Sequence, residues 1–260
     1  MSQKYRRIKE YLIQFLREET FKTGLNGGVM ALGHDIESVV TAILAKEAFG
    51  NRLLVLLTEA ESQDDLLRAF CQVRDIRYFT VADSEIKQTY SFLEGADTKR
   101  TDAFVSRVRM AVLYDTASRE RALVLGAKNK SDLLLGEGTV YGDLACALNP
   151  VGDLYRSEVL EFATYLGVDA SFRESEHFVR SDKDTTGGYL SEMLDRMLRA
   201  FTEERLSREE LIAAGYDSEM VDTVIDRIYR NQFKYKGPVI AKLTSRTIGQ
   251  DLCYPGDIKL

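Results

Sequence analysis

The chain has 260 residues, 45% of them hydrophobic and 29% charged, with a net charge of −6. That length supports one large domain with a full core, and the composition is that of an ordinary globular protein. The acidic balance argues against general nucleic-acid binding. Three scattered cysteines, Cys71, Cys146 and Cys253, do not make a disulfide framework and fit a reducing compartment. No apolar run approaches the ~18 residues of a membrane span, and no signal-like apolar stretch follows the N-terminal residues. A cytoplasmic protein with no nucleic-acid or membrane partner is the expectation.

In chain order, Tyr5, Ile8, Leu12, Phe15 and Leu16 share one face of an amphipathic helix from Gln3 to Glu19. Gly24 to Gly28 reads as a glycine-rich link. Val29 to Leu32 is a short apolar run, as a buried parallel strand would be. Ile36, Val39, Val40, Ile43 and Leu44 then recur at helical spacing. Arg52 to Leu57 reads as a second strand, and a helix capped by Ser62 runs to about Arg74. Tyr78 to Val81 is a third strand. Residues 84–100 are polar and have no clear period. Asp102 to Ser118 reads as a long helix and Ala122 to Gly126 as a fourth strand.

Strand and helix therefore alternate through residues 1–135, which predicts an α/β fold with a doubly wound parallel sheet flanked by helices. Ligands of such sheets lie beyond the carboxyl ends of the strands, which points to 33–38, 58–62 and 127–132. Residues 136–260 differ. Gly136 to Gly152 is a loop of small residues, Tyr155 to Leu166 a helix, and 171–188 a polar stretch that reads as a lid. Helices follow at 189–203, 207–214 and 217–231, then a tail from Phe233 to Pro238. This helical part is expected to pack on the sheet within one domain, 1–260.

The turn Gly33-His34-Asp35 delivers a strand onto a helix N-terminus, the natural anion site of an α/β protein. Here it carries Asp35 and Glu37, which would repel a phosphate. Asp35 also reads as a helix N-cap with Glu37 in the first turn, and His34 as a solvent-facing turn residue. A cation held by His34, Asp35 and Glu37 is a weaker reading of the same spacing. Arg107 and Arg109, two apart on a helix, point to different faces, so one would meet a ligand while the other pairs with a carboxylate.

Three ordered motifs carry a resemblance. Arg107-Val-Arg109-Met110, Leu125-Gly-Ala-Lys-Asn-Lys-Ser-Asp132 and Gly138 to Gly152, with Phe233-Lys234 in the tail, are similar to the ammonia-dependent NAD synthetase family over roughly residues 1–245. The resemblance implies a homodimer that uses ATP and Mg2+ to adenylate the carboxylate of nicotinate adenine dinucleotide. Ammonia then displaces AMP to give NAD. The family's pyrophosphate loop, Ser-Gly-Gly-x-Asp-Ser, falls on Gly33-His-Asp-Ile-Glu-Ser38, because a strand precedes that stretch and a helix follows it. Gly24 to Gly28 mimics the letters without the preceding strand.

Carried over position by position, the resemblance implies ATP contacts at Gly33, His34, Asp35, Ser38, Ala127 and Arg156. It implies catalytic and metal-binding carboxylates at Glu37 and Asp132, and contacts to the dinucleotide from Arg107, Arg109, Asp143 and Lys234. The loop departs from the family pattern at Gly33, His34, Asp35 and Glu37, and Ala127, Asp132 and Arg156 stand for a threonine, a glutamate and a lysine. The departures gather where triphosphate and metal would bind. Two other readings therefore stand beside the family activity: a binding or regulatory relative without adenylation, and a ligase for a different carboxylate or other anionic substrate.

Overall fold

Leu53–Thr58 is buried at every position, the mark of a strand covered on both faces. In the computed structural model it is β2 of a four-stranded parallel sheet. The structure describes residues 2–58, 65–90, 97–169, 172, 191–237, 239–248 and 252. β1 is Gly27–Ala31, β3 Arg77–Val81 and β4 Ala122–Val124. The order across the sheet is β3-β2-β1-β4, and every pairing is parallel.

Around the sheet run α1 (Ser2–Lys22), α2 (Ile36–Phe49), α3 (Asp65–Val73), α4 (Asp83–Tyr90) and α5 (Thr98–Glu120). The second half adds α6 (Lys130–Leu135), α7 (Arg156–Tyr165), α8 (Ser191–Thr202), α9 (Arg208–Ala213) and α10 (Ser218–Asn231). Side-chain alternation along β1 and β2 sorts the core. Met30, Leu53, Val55 and Leu57 face α1, α2 and α7, whereas Val29, Leu54 and Leu56 face Met110, Leu113 and Ala117 of α5. α2 is apolar almost all round and lies between α1 and the sheet. A separate apolar cluster gathers Leu194, Met197, Leu198, Leu211, Met220 and Val224 of α8 to α10 against Leu135 and Tyr155.

Gly27 and Gly28 were expected in a link and stand instead in β1. A Cβ on Gly27 would lie 2.6 Å from the Arg52 carbonyl oxygen, and one on Gly28 2.9 Å from Leu125 and Phe49. Close approach to neighbouring strands and to α2 is why glycine sits in the sheet here. The unassigned 84–100 stretch holds most of α4 and the start of α5, which Asp97 caps by accepting from the Arg100 N–H. The expected lid, 171–188, lies outside the described residues apart from Phe172.

The chain builds β1, β2 and β3 outward in one direction and then returns to lay β4 on the other side of β1. The reversal of strand order therefore falls between β1 and β4. The loops that leave those two strands, 32–35 and 125–129, open side by side at the carboxyl edge, where a crevice forms in such sheets.

Candidate active site

The β1–α2 turn is closed by its own side chains. Asp35 is the N-cap of α2, its carboxylate accepting from the Ser38 N–H at 2.8 Å. The Ser38 hydroxyl accepts from the Gly33 N–H at 3.1 Å and lies 3.0 Å from the Asp35 carbonyl oxygen, which takes its proton. The N-cap reading of Asp35 is thus the observed one. The strand-to-helix junction at 33–38 is also the register in which the pyrophosphate loop was placed.

The β4–α6 loop is pinned from the other side. Gly126 N–H donates to the Leu148 carbonyl and the Asn149 side chain to the Lys128 carbonyl, both at 2.8 Å. Asn129, fully buried, has its two ends in different elements. Its oxygen caps α6 by accepting from the Asp132 N–H at 2.8 Å, and its NH2 donates to Glu37 Oε1 at 2.7 Å. Asn129 thus ties the first turn of α2 to the first turn of α6.

A cavity of about 210 Å³ opens over these two loops. Gly33, Asp35, Ser38, Ala127 and Lys128 line it together with Ser106, Arg109 and Asp143. Lys128 Nζ stands 3.1 Å from Asp143 Oδ2. Asp143 also accepts from the Thr139 N–H at 2.7 Å and from the Ser106 hydroxyl at 3.2 Å. Burial alone would raise the Asp143 pKa, but Lys128 and these donors hold it below the usual carboxylate range.

Glu37 and Asp132 are not among the residues that line the cavity, though their neighbours Asp35, Ser38 and Lys128 are. Burial, reinforced by Asp132 and Asp35, pushes the Glu37 pKa up to about 7 against the pull of Arg156. The Asp132 pKa is raised as well, by burial and by Glu137 and Asp35, with Lys128 and Arg156 opposing. Buried Glu37 has its pKa raised by the neighbouring Asp132 carboxylate, and two carboxylates in that relation form a place where a hard cation is welcome. Among the described residues no three His, Cys, Asp or Glu side chains gather as a metal cage. Mg2+ does not need one, since one or two carboxylates together with substrate phosphates suffice. Glu37 and Asp132 therefore fit the ion that the sequence resemblance implies.

Of the other expected residues, Arg156 does not line the cavity but faces Glu37 and Asp132 from the start of α7. His34 is half-buried and lies off the lining. Arg107 and Arg109 do diverge. Arg109 reaches the cavity and forks onto both carboxylate oxygens of Asp83, so the cavity-facing and carboxylate-pairing positions fall on one side chain. Arg107 donates to the Val140 carbonyl at 3.1 Å. Lys234 donates to the Gly136 carbonyl at 2.6 Å, away from the lining.

Reading by motif passed over Lys128, Ser106, Asp83 and Asp195. Asp195, buried in α8, accepts from the Ser131 hydroxyl at 2.5 Å and the Ser157 N–H at 2.7 Å. Ser131 in turn accepts from the Arg156 N–H at 3.1 Å. Of these only Lys128 left a trace in the sequence, as a member of the 125–132 motif. The others are joined to the site by folding alone.

The chain matches the NAD synthase family model over residues 8–238. It is 35% identical to the NH(3)-dependent NAD(+) synthetase of Chlorobaculum tepidum, covering 97% of this chain and 95% of that one. Identity to the enzyme of the same name from Helicobacter acinonychis is 33%, over 93% of this chain and 98% of the other. Among solved structures, the NH3-dependent NAD synthetase of Campylobacter jejuni, in complex with the nitrate ion, superposes with a TM-score of 0.77 at 29% identity, covering 92% and 99% of the two chains. With its resembling motifs meeting at the β1/β4 crevice and relatives matched along nearly their whole length, the chain belongs to the NAD synthase family.

Proposed function

We propose that this protein is an ATP-dependent, carbon–nitrogen bond-forming ligase that converts nicotinate adenine dinucleotide to NAD with ammonia. The observation that carries this reading is the crevice between β1 and β4, where a strand-to-helix turn, the 125–132 motif, Asp143 and Arg109 meet around one cavity. In the first half-reaction a carboxylate oxygen of the dinucleotide attacks the α-phosphorus of ATP and pyrophosphate leaves. In the second, ammonia attacks the acyl carbon, AMP departs with the C–O bond electrons, and ammonia's surplus proton passes to solvent.

In this reading Gly33, His34, Asp35, Ser38, Ala127 and Arg156 surround the ATP, and Arg109 with Arg107, Asp143 and Lys234 takes the dinucleotide. Glu37 and Asp132 would hold Mg2+, which when bound neutralises charge on the phosphates. Asn129 keeps those carboxylates in register by bonding to Glu37 while capping the helix that carries Asp132. The chain acts as a single domain in a homodimer. A cytoplasmic setting goes with the reading, since that is where ATP and dinucleotide are available.

The test is product analysis. Incubation with nicotinate adenine dinucleotide, Mg-ATP and ammonium should yield NAD, AMP and pyrophosphate in equal amounts, read by chromatography. Amide formed with ADP and phosphate, or no amide from an enzyme shown to bind the dinucleotide, would overturn the assignment. The second result would favour a relative that has lost adenylation.

A further inference from the structure

None of the roles above uses Lys128. Its side chain, 30% exposed, lines the cavity from the β4–α6 loop. Asp143 stands 3.1 Å from it, Asp35 at the start of α2 lines the same cavity, and Asp132 at the start of α6 also acts on its charge. The bond to Asp143 uses one of the three N–H donors an ammonium carries.

The turn at 33–35 is poorly equipped to take phosphate by itself. The Gly33 N–H and the Ser38 hydroxyl are bonded to each other, the Ser38 N–H is taken by Asp35, and the Asp35 carboxylate is held at the cavity as a cap. A carboxylate left facing a phosphate costs on the order of 1–3 kcal/mol at intermediate dielectric. Two cationic side chains of the described residues line this cavity, Lys128 and Arg109, and Arg109 is forked onto Asp83. Lys128 comes from the loop that faces the turn, and its charge already acts on Asp35.

We propose that Lys128 binds the triphosphate of ATP in this protein, doing with an ammonium what the Gly33-His34-Asp35 backbone cannot, and that it screens the Asp35 carboxylate from the phosphates. This rests on the reading of ATP as a substrate of the crevice. A lysine suits the task as a mobile point charge able to keep Asp143 on one donor and offer the others to phosphate oxygens. It also accounts for an acidic side chain at a turn that would otherwise repel the ligand.

Titration calorimetry with Mg2+ and a non-hydrolysable ATP analogue, with AMP, and with nicotinate adenine dinucleotide tests it on wild type, Lys128→Met and Lys128→Arg. Lys128→Met keeps most of the apolar stem, and its melting temperature serves as the folding control. It should weaken the triphosphate analogue by about 30-fold or more while AMP and the dinucleotide change by less than about threefold; Lys128→Arg should stay within about fivefold of wild type. Adding Asp35→Asn to Lys128→Met should recover about fivefold, because the amide oxygen still caps α2 but the like charge is gone.

Unchanged analogue binding in Lys128→Met overturns the proposal. So does an equal loss of all three ligands, which would mark a collapsed cavity, or a wild type that binds no triphosphate. The ligase reading fails separately. Wild type that binds the analogue through Lys128 yet forms no NAD sinks the ligase and leaves this assignment. NAD formation with a Lys128-independent analogue affinity does the reverse.

Discussion

Glu37 shows how far a side chain's chemistry is set by distant neighbours. In the sequence it is an acidic residue in the first turn of a helix, where a carboxylate is normally exposed and ionised. In the fold it is 4% exposed, bonded to Asn129 and set against Asp132, and its pKa rises to about 7. A carboxyl that holds its proton more tightly folded than unfolded stabilises the protein below the unfolded value, and that contribution is lost as pH rises through the folded one. Unfolding free energy should therefore fall between about pH 4.5 and about pH 7, by an amount on the order of 1–3 kcal/mol. Glu37→Gln, which cannot titrate, should flatten that part of the profile in urea titrations across the range. A mutant profile parallel to wild type would show that Glu37 is not the group responsible.

Among the elements, α7 begins on side chains supplied from elsewhere. Its first two N–H groups, those of Arg156 and Ser157, are satisfied by the Ser131 hydroxyl and the Asp195 carboxylate, and Ser131 itself donates to Asp195. A negative charge on a helix N-terminus is favourable, and here it also joins α6, α7 and α8 at one point. Asp195→Ala leaves the Ser131 O–H and the Ser157 N–H without their acceptor. It should cost about 2–4 kcal/mol by denaturant titration, with Asp195→Asn costing less because one acceptor remains. A loss under ~0.5 kcal/mol would mean that water or a shift of α8 replaces the carboxylate, and that the join does not set the position of Arg156.

At the scale of the whole molecule, the face of α1 turned to the core is Tyr5, Leu12 and Leu16, while Tyr11 and Phe21 are 67% and 82% exposed. Leu16 lies in the core, Phe15 packs at its edge and Tyr11 stands outside. Tyr114 on α5 and Tyr229 on α10 add further exposed rings. Apolar surface of this kind goes with the two-fold dimer of the functional reading. Light scattering at micromolar concentration should give about twice the chain mass. A monomer under those conditions would remove both the dimer and any site shared across it. No helix among the described residues is long and apolar enough to cross a membrane.

Much of this protein was legible before folding was considered. The apolar runs of β1 and β2, the 3.6-residue period of α2 and the capping residue Asp35 are local signals, since each depends on residues a few positions apart. The strand-to-helix junction at 33–38 and the motif at 125–132 could be placed from them, and with those the crevice. The helices at 83–90 and 98–120 were harder to delimit, because α4 is largely polar and exposed and has little period to read. What only the tertiary structure decided is the charge pattern of the site. Asn129 meets Glu37 across 92 residues of chain, and Asp195 meets Ser131 across 64. Lys128 comes to lie 3.1 Å from Asp143 and lines the same cavity as Asp35. Electrostatic interaction acts through space with a strength set by distance and burial, and neither is encoded in local spacing. The sequence alone therefore showed a repelling carboxylate at the turn, and the fold supplied the lysine that faces it.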